Sequence, residues 1–535
     1  MIRIRFLFAH AAVFRAIVPI FFLLLLIPCA SVRAQDPVPT PPVIAATDNA
    51  PPRKVLRITL KEAIDIALQR NLDLRLEYHN AFIAHEEIGI AAAAFDPIFA
   101  TNYTMAKFRQ PTVDFLSGIG GAVTSVEVNP SVQQRFDIGV SGLTPIGTEY
   151  SVTASDRRSD NPDSGFFGIN PRNNTSLALN LTQPLLDGFG FAARLADKRI
   201  AGERARIAAD ELRTQREVLV AAVRDAYWIL RFHQANLAVK EQALEEARTL
   251  LEINRQKVQV GTAIELDIID AEANIETQNG DIIDAKNTLE RARDTLLDLL
   301  NYQDVLRENN ELQPSQAPYD HLNVELTTEF PIETSEIVTS DAIQLALSER
   351  SDLRATQRQI EVARIELVRR DNQLLPAFNL TGSWTQNGLE KNIGNSIDEL
   401  FSGRYYDWEA GVNFEMPFGN RRDRHRASQG AADFQSAKLN FEKLRNSIVL
   451  EVAQSVRGIA SARQKITARR AASRARGEQL QGEKERLRLG TSTSYQVLQL
   501  QNDLLEAQSE ELRALVDYQT SVTAYKKAVG ILLLD

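Results

Sequence analysis

The chain has 535 residues, of which 44% are apolar and 24% charged, and a formal net charge of −9. Such a length corresponds to about three or four ordinary domains, and such a composition excludes wholesale disorder. An acidic balance argues against nucleic acid as a partner, and a single cysteine, Cys29, excludes an internal disulfide framework.

Residues 1–34 read as a signal peptide. Arg3, Arg5 and Arg15 make a basic start, Ile17 to Pro28 is an apolar run, and Val32-Arg33-Ala34 fits a small-x-Ala cleavage site. About 12 apolar residues broken by Pro19 are too few to span a bilayer well. Pro28 beside Cys29 is a poor fit to a lipoprotein signal. Loss of the segment removes four arginines and no acid, so the formal charge moves from −9 to −13. No later apolar run reaches about 18 residues, so no transmembrane helix is expected. Residues 35–55 form a Pro-rich segment, with six prolines between 36 and 52, and read as a loop.

The remainder reads as two copies of one unit, 56–301 and 337–535, joined by a linker at 302–336 that carries Pro314, Pro318 and Pro331 and also reads as a loop. TLKEAIDIALQRNLDL (59–74) matches TSDAIQLALSERSDL (339–353), with Ala63, Ala67, Asp73 and Leu74 against Ala342, Ala346, Asp352 and Leu353 at an offset of 279. Pro97 matches Pro376 at the same offset, Pro184 matches Pro417 at 233, and Gly261 matches Gly490 at 229. The drop of 46 residues between the two proline pairs places an insertion in the first copy. Each copy then runs in one order: short helix, medium helix, Pro, alternating stretch, Pro, very long helix, Gly-Thr, helix.

Between the prolines the pattern has a period of two. Leu177, Leu179 and Leu181 alternate with polar or small residues in 176–182, as do Phe378, Leu380, Gly382 and Trp384. Trp408, Ala410, Val412, Phe414 and Met416 oppose Glu409, Gly411, Asn413 and Glu415, and 98–105 is a weaker case with Phe99, Thr101, Tyr103 and Met105 on one side. On pattern alone this fits a half-buried sheet or a lipid-facing barrel wall equally well. Two strands per copy, four per chain, cannot close a useful barrel alone, and an open edge is forbidden in lipid. If these strands lie in a membrane, several chains must share one barrel.

Residues 190–260 and 421–489 hold no proline and predict rods of about 70 residues, on the order of 100 Å. Val223, Leu230, Leu237, Leu244, Leu251 and Val258 recur every seven residues, as do Val452, Ile459, Ile466, Ser473, Leu480 and Leu487. A strict heptad predicts coiled coil; a plain two-helix hairpin is the simpler alternative. Return helices are expected at about 265–301 and 494–530. Gly-Thr then marks each hairpin tip, with Gly in the turn and the Thr hydroxyl capping the next helix.

The duplicated order, the junctions LTQPLLDGFG and FEMPFGNRR, and the tips VGTAIELDIIDAE and LGTSTSYQVLQ together resemble the TolC family of outer-membrane efflux and secretion ducts, over about 55–532. The resemblance implies a mostly α, internally duplicated fold with a small β part. It implies a homotrimer whose antiparallel helices build a periplasmic α-barrel and whose strands share a 12-stranded barrel in outer-membrane lipid. The implied function is passive export from the periplasm or an inner-membrane transporter, opened when a periplasmic adaptor binds the tips. The location implied is the outer membrane of a Gram-negative-type cell. Pro97, Pro184, Pro376 and Pro417 would be the strand–helix junctions, and Val260, Gly261, Thr262, Leu489, Gly490 and Thr491 the docking tips. Acids that line the family's closed aperture near the second tip are replaced here by Gln496 and Gln499, while copy one carries Asp267 and Asp270 at the equivalent places. These acids either face the lumen or cap a helix start. The insertion holds RFDIGVSGL (135–143) and TEYSVTAS (148–155), read as an extracellular hairpin in preference to two added wall strands. Arg421, Arg422, Arg424, His425 and Arg426 either meet anionic head groups or form a solvated helix start.

The residues carry no sign of catalysis. The six histidines are scattered, His79 and His85 are out of metal spacing, Gly118, Gly120 and Gly121 lack the rest of a dinucleotide loop, and no P-loop or nucleophile elbow occurs. No enzyme activity, cofactor or metal is expected. The rival reading is a secreted structural coiled-coil protein without channel activity.

Overall fold

A computed structural model describes residues 54–112, 127–160, 169–303, 322–328, 330–332 and 336–533. The signal peptide, most of the Pro-rich segment and residues 304–321 of the linker lie outside the described residues. The described part is mostly helical, and none of its helices is long and apolar enough to cross a membrane.

The chain enters through β1 (Lys54–Ile58) and α1 (Leu60–Arg70). Thr59 starts α1 with a reciprocal cap: its hydroxyl accepts from Glu62 N, and the Glu62 carboxylate accepts from Thr59 N at 2.8 Å. Asn71 then starts α2 (Leu72–Ala92), accepting from Leu74 N at 3.0 Å while its amide donates to Leu299 O. The repeat-matched residues Ala63, Ala67, Ala342 and Ala346 are all buried, one turn apart on each helix.

Six strands follow the alternating stretches: β2 (Ile98–Thr112), β3 (Glu127–Leu143), β4 (Glu149–Asp160), β5 (Arg172–Pro184), β7 (Ala377–Glu390) and β8 (Tyr406–Glu415). They form one antiparallel sheet in the order β2-β3-β4-β5-β7-β8. This corrects two expectations. Among the described residues the chain brings six strands to this sheet and not four, and the inserted hairpin β3–β4 lies inside it, between β2 and β5, where an extension beyond it was expected. Its two segments satisfy their backbone groups along both neighbours, which an extension would leave open. The linker is not all loop either: β6 (Leu322–Leu326) pairs in parallel with β1, Lys54 opposite Leu322 and Ile58 opposite Leu326.

The long helices come next. A single turn, α3 (Phe191–Arg194), leads into α4 (Ala196–Gln259), 64 residues, and α5 (Glu265–Leu299) returns along it. The second half has α6 (Thr339–Glu349), α7 (Ser351–Asn372), α8 (Ile393–Phe401, between β7 and β8), the 68-residue α9 (Arg421–Arg488) and α10 (Ser494–Val529). At 1.5 Å per residue, α4 and α9 are each about 100 Å long. Toward the sheet, α2, α4, α7 and α9 pack side by side; toward the tips the row is α5, α4, α10 and α9. The heptad seam of α9 is buried from Val452 to Leu487, including Ser473. In α4 the seam starts buried at Val223 and Leu230, then shifts toward Ala247, Leu250 and Asn254 near the tip.

Midway along α4 the helix is gripped by the short β1–β6 ribbon. Trp228, 1% exposed, stacks on Phe330 at 5.2 Å between ring centroids. The Tyr227 hydroxyl donates to Ile58 O and accepts from Thr328 N. On the other side α7 is fastened by arginines. Arg358 meets Asp210 at 2.9 Å, Arg369 meets Asp197 at 2.7 Å, both on α4, and Arg370 reaches Asp433 on α9. Arg350, between α6 and α7, joins Asp352, Glu451 and Ala528 O, so one guanidinium ties α7, α9 and α10.

Asp225 works against this stability. Burial in α4 pushes its carboxyl up to about 6, only partly offset by Arg224 and Lys527. The unfolded carboxyl titrates near ~3.9, so the folded chain holds the extra proton between about pH 4 and 6 and loses stability as pH rises through that window. Asp225→Asn is expected to raise thermal stability at neutral pH, by at most ~2–3 kcal/mol, and to flatten its fall across the window, as read by circular dichroism melts at stepped pH.

Candidate functional site: the two-faced wall, its junction and the hairpin tips

Residues opposite one another in the ladders share a face. Phe99 lies opposite Val140, which lies opposite Val152, then Leu179, Trp384 and Trp408. Phe136, Ile138, Leu181, Leu380, Val412 and Phe414 fall on the same side, and most of this side is exposed, Trp408 by 71%. The other side carries Asn102, Asp137, Ser151, Thr153, Asn180, Thr381, Asn413 and Glu409, with Ser155 bonded to Ser176 and Asn180 to Ser151 across strands. An apolar patch of six strands far exceeds what a surface in water tolerates. Along β7 and β8 aromatic residues edge it at two levels: Phe378 opposite Phe414 near the helices, and Trp384 opposite Trp408, with Tyr406, further out. From Phe378 to the level of Tyr406 is eight residues, roughly 26 Å along the strand, which at a barrel tilt of about 40° is about 20 Å of height, comparable with an apolar band of about 25 Å flanked by aromatic girdles.

Pro97 and Pro376 each immediately precede a strand, Pro184 ends one, and Pro417 stands between β8 and α9. Around them the two halves are stitched together. Leu185 N donates to Phe378 O and Gly188 N to Asn372 Oδ1, while within the second half Asn420 Nδ2 donates to Leu374 O. Asn420 adopts φ 39°, a left-handed turn that Asn tolerates, to start α9. Of the basic run behind it, Arg422 and Arg426 pair with the buried Asp423 at 2.9 and 3.7 Å, and Arg422 remains largely exposed.

The two tips are built alike. Gly261 and Gly490 take φ of +76° and +77°, where a side chain would be strained. The threonines, however, close the helix behind them and not the one ahead. Thr262 donates through N and Oγ1 to Lys257 O, and Thr491 likewise to Arg486 O. The following helix is capped from within: Asp267 accepts from Ile264 N, while Thr493 accepts from Gln496 N and the Gln496 amide oxygen accepts from Thr493 N. Asp267 therefore does cap a helix start. Asp270, Gln496 and Gln499 are exposed. Val260 (73% exposed), Leu489 (69%), Ile264 and Tyr495 leave an apolar rim at the ends of both hairpins.

Sequence reasoning missed the ties between the hairpins. Asn254, 1% exposed, donates to Asp267 O and accepts from Ser494 Oγ at 2.6 Å. Lys257 donates to Leu487 O, and Lys484 pairs with Glu246 at 2.9 Å. Beneath them Leu250, Leu480, Leu487 and Val497 form one cluster. The available signal was a lone Asn seven residues after Ala247 on the buried stripe of α4. Helix α8 was also missed. It lies over Thr175 and Gly388, where a Cβ on residue 388 would come within 2.1 Å of Ser396 O.

With this geometry established, the comparisons with known proteins are specific. The outer membrane efflux protein family matches residues 148–302 and 342–531, more than half of the chain. The outer membrane efflux protein BepC of Brucella suis is 23% identical over 369 residues, covering 68% of this chain and 74% of that protein. The outer membrane protein TolC of Vibrio cholerae is 23% identical over 336 residues, covering 62% and 72%. Among solved structures, the Campylobacter jejuni CmeC outer membrane channel superposes with a TM-score of 0.61 at 18% identity, over 88% of this chain and 85% of that one. The outer-membrane channel OprN gives 0.62 at 17%, over 88% and 89%. The family and these neighbours are channel proteins rather than enzymes, and this chain belongs to the outer membrane efflux protein family.

Proposed function

We propose that three copies of this chain close into one passive exit duct, with their strands sharing a barrel in outer-membrane lipid and their helices continuing it as a periplasmic tube. The observation that carries this is the two-faced sheet with free edges at β2 and β8. A sheet exposed to lipid cannot leave an edge unpaired. Because the six strands alternate in direction, β8 of one copy meets β2 of the next antiparallel, and the up-and-down pattern runs on across the seam. The matched offsets of the two halves and the parallel order of their elements support an internally duplicated chain, which sets its hairpins at near-equivalent places around the axis.

In this reading cargo is handed over by an inner-membrane transporter and a periplasmic adaptor. The adaptor docks on Val260, Gly261, Thr262, Leu489, Gly490 and Thr491, whose exposed apolar side chains suit a protein partner. Opening separates the hairpins against the Asn254 and Lys484 ties. The six Asp267 and Asp270 side chains of a trimer give the mouth a negative charge that favours cations.

Purified from outer membranes and reconstituted, the protein is expected to cross-link as a trimer and conduct ions. A detergent-free soluble monomer without conductance would instead support the structural coiled-coil protein. Asn254→Ala with Lys484→Ala is expected to raise conductance, since it removes about 1–3 kcal/mol of buried hydrogen bonding at Asn254 together with the partly exposed Lys484–Glu246 pair; no change would free the ties from any gating role. Asp267→Asn with Asp270→Asn keeps an acceptor at the helix start and removes charge alone. Reduced preference for cations is expected, and an unaltered reversal potential in a salt gradient would take both acids out of the pore.

A further inference from the structure

We propose that the outer-membrane wall of the assembled duct has eighteen strands, six from each chain, and that its water-filled opening is therefore wide enough for bulky cargo, leaving size selection to the tips. The inference rests on the trimeric reading above. Three observations place the inserted hairpin in the wall itself.

The first is register. β3 pairs with β2 from Ile98 opposite Ser141 to Thr112 opposite Glu127, and β4 pairs with β5 from Glu149 opposite Thr182 to Ser159 opposite Arg172. The added strands thus span the same height as their neighbours. The second is the turn between them. Ile146 O accepts from Gly190 N at 3.0 Å, and a Cβ on Gly147, which has φ +102°, would sit 2.6 Å from Gly188 O. The turn is clasped into the strand–helix junction, at the opposite end of the sheet from α8. The third is pattern. Phe136, Ile138, Val140, Tyr150 and Val152 extend the apolar face, and Asp137, Ser151, Thr153 and Ser155 extend the polar one.

Circumference supports the count. Strands about 4.8 Å apart and tilted about 40° each take an arc of about 6 Å, so six take about 38 Å. Four helices at about 9–10 Å take nearly the same arc, and four is the number of rods packed abreast at each level of this chain. Six strands therefore meet four helices without a step. Eighteen strands close at a radius of about 18 Å, against about 12 Å for twelve, which roughly doubles the cross-section. Barrels of 16–18 strands leave an aqueous channel.

The test uses the full trimer in a Cys29→Ser background, with single cysteines placed along β4. Ser151→Cys, Thr153→Cys and Ser155→Cys are expected to react with a water-soluble methanethiosulfonate, and Val152→Cys and Ala154→Cys to resist it. Reaction without alternation would remove the hairpin from the wall. A spin label at Ser151→Cys gives one inter-subunit distance, expected at roughly 30 Å for eighteen strands and roughly 20 Å for twelve. A trimer at the shorter distance overturns the strand count alone. Failure to cross-link as a trimer overturns the duct reading beneath it.

Discussion

A sheet with one apolar and one polar face can sit in lipid only if every backbone group along both edges finds a partner. That constraint orders the rest of this chain. It explains why β2 and β8 have no further strand partner among the described residues, and why the halves cross over so that β5 pairs with β7. It also explains why the helices leave the sheet as a row of parallel rods. In the proposed duct, a wall that closes on copies of itself needs helices that close with the same curvature, and a globular helical domain would block its lumen.

The sequence made the large elements readable because their periods are long and clean. The heptads of α4 and α9 and the alternation in β5, β7 and β8 need no tertiary information. What escaped depends on contacts between distant segments. KVLRI and LNVEL are five-residue stretches beside proline-rich sequence, and only their mutual pairing makes them β1 and β6. α8 has nine residues, and Gly388 makes room for it on the sheet. The inserted hairpin was recognised as alternating but placed beyond the wall, because no local pattern says between which neighbours a strand inserts. At the tips the Gly-Thr turn was legible, while the direction of the Thr hydroxyl was not: capping the preceding helix competes with capping the next, and the short turn brings the carbonyl of Lys257 or Arg486 closer.

The comparison of the tips separates two jobs that one acid could hold together. Gln496 accepts from Thr493 N as Asp267 accepts from Ile264 N, so a neutral amide suffices to fasten the helix start. The charge on the first tip is therefore surplus to its architecture. Within the proposed duct, that surplus is what distinguishes one hairpin from the other around an otherwise repeating mouth.

The clasped turn at residues 144–147 has a consequence for how such walls can vary. A strand added singly would reverse the direction of everything after it and send the long helix out on the wrong side of the membrane. Only an even insertion returns the chain to the junction it left. In a threefold assembly the calibre of the barrel then cannot be tuned finely: it changes in whole steps of six strands, and lineages differing in this hairpin would carry ducts of discrete, separate bores.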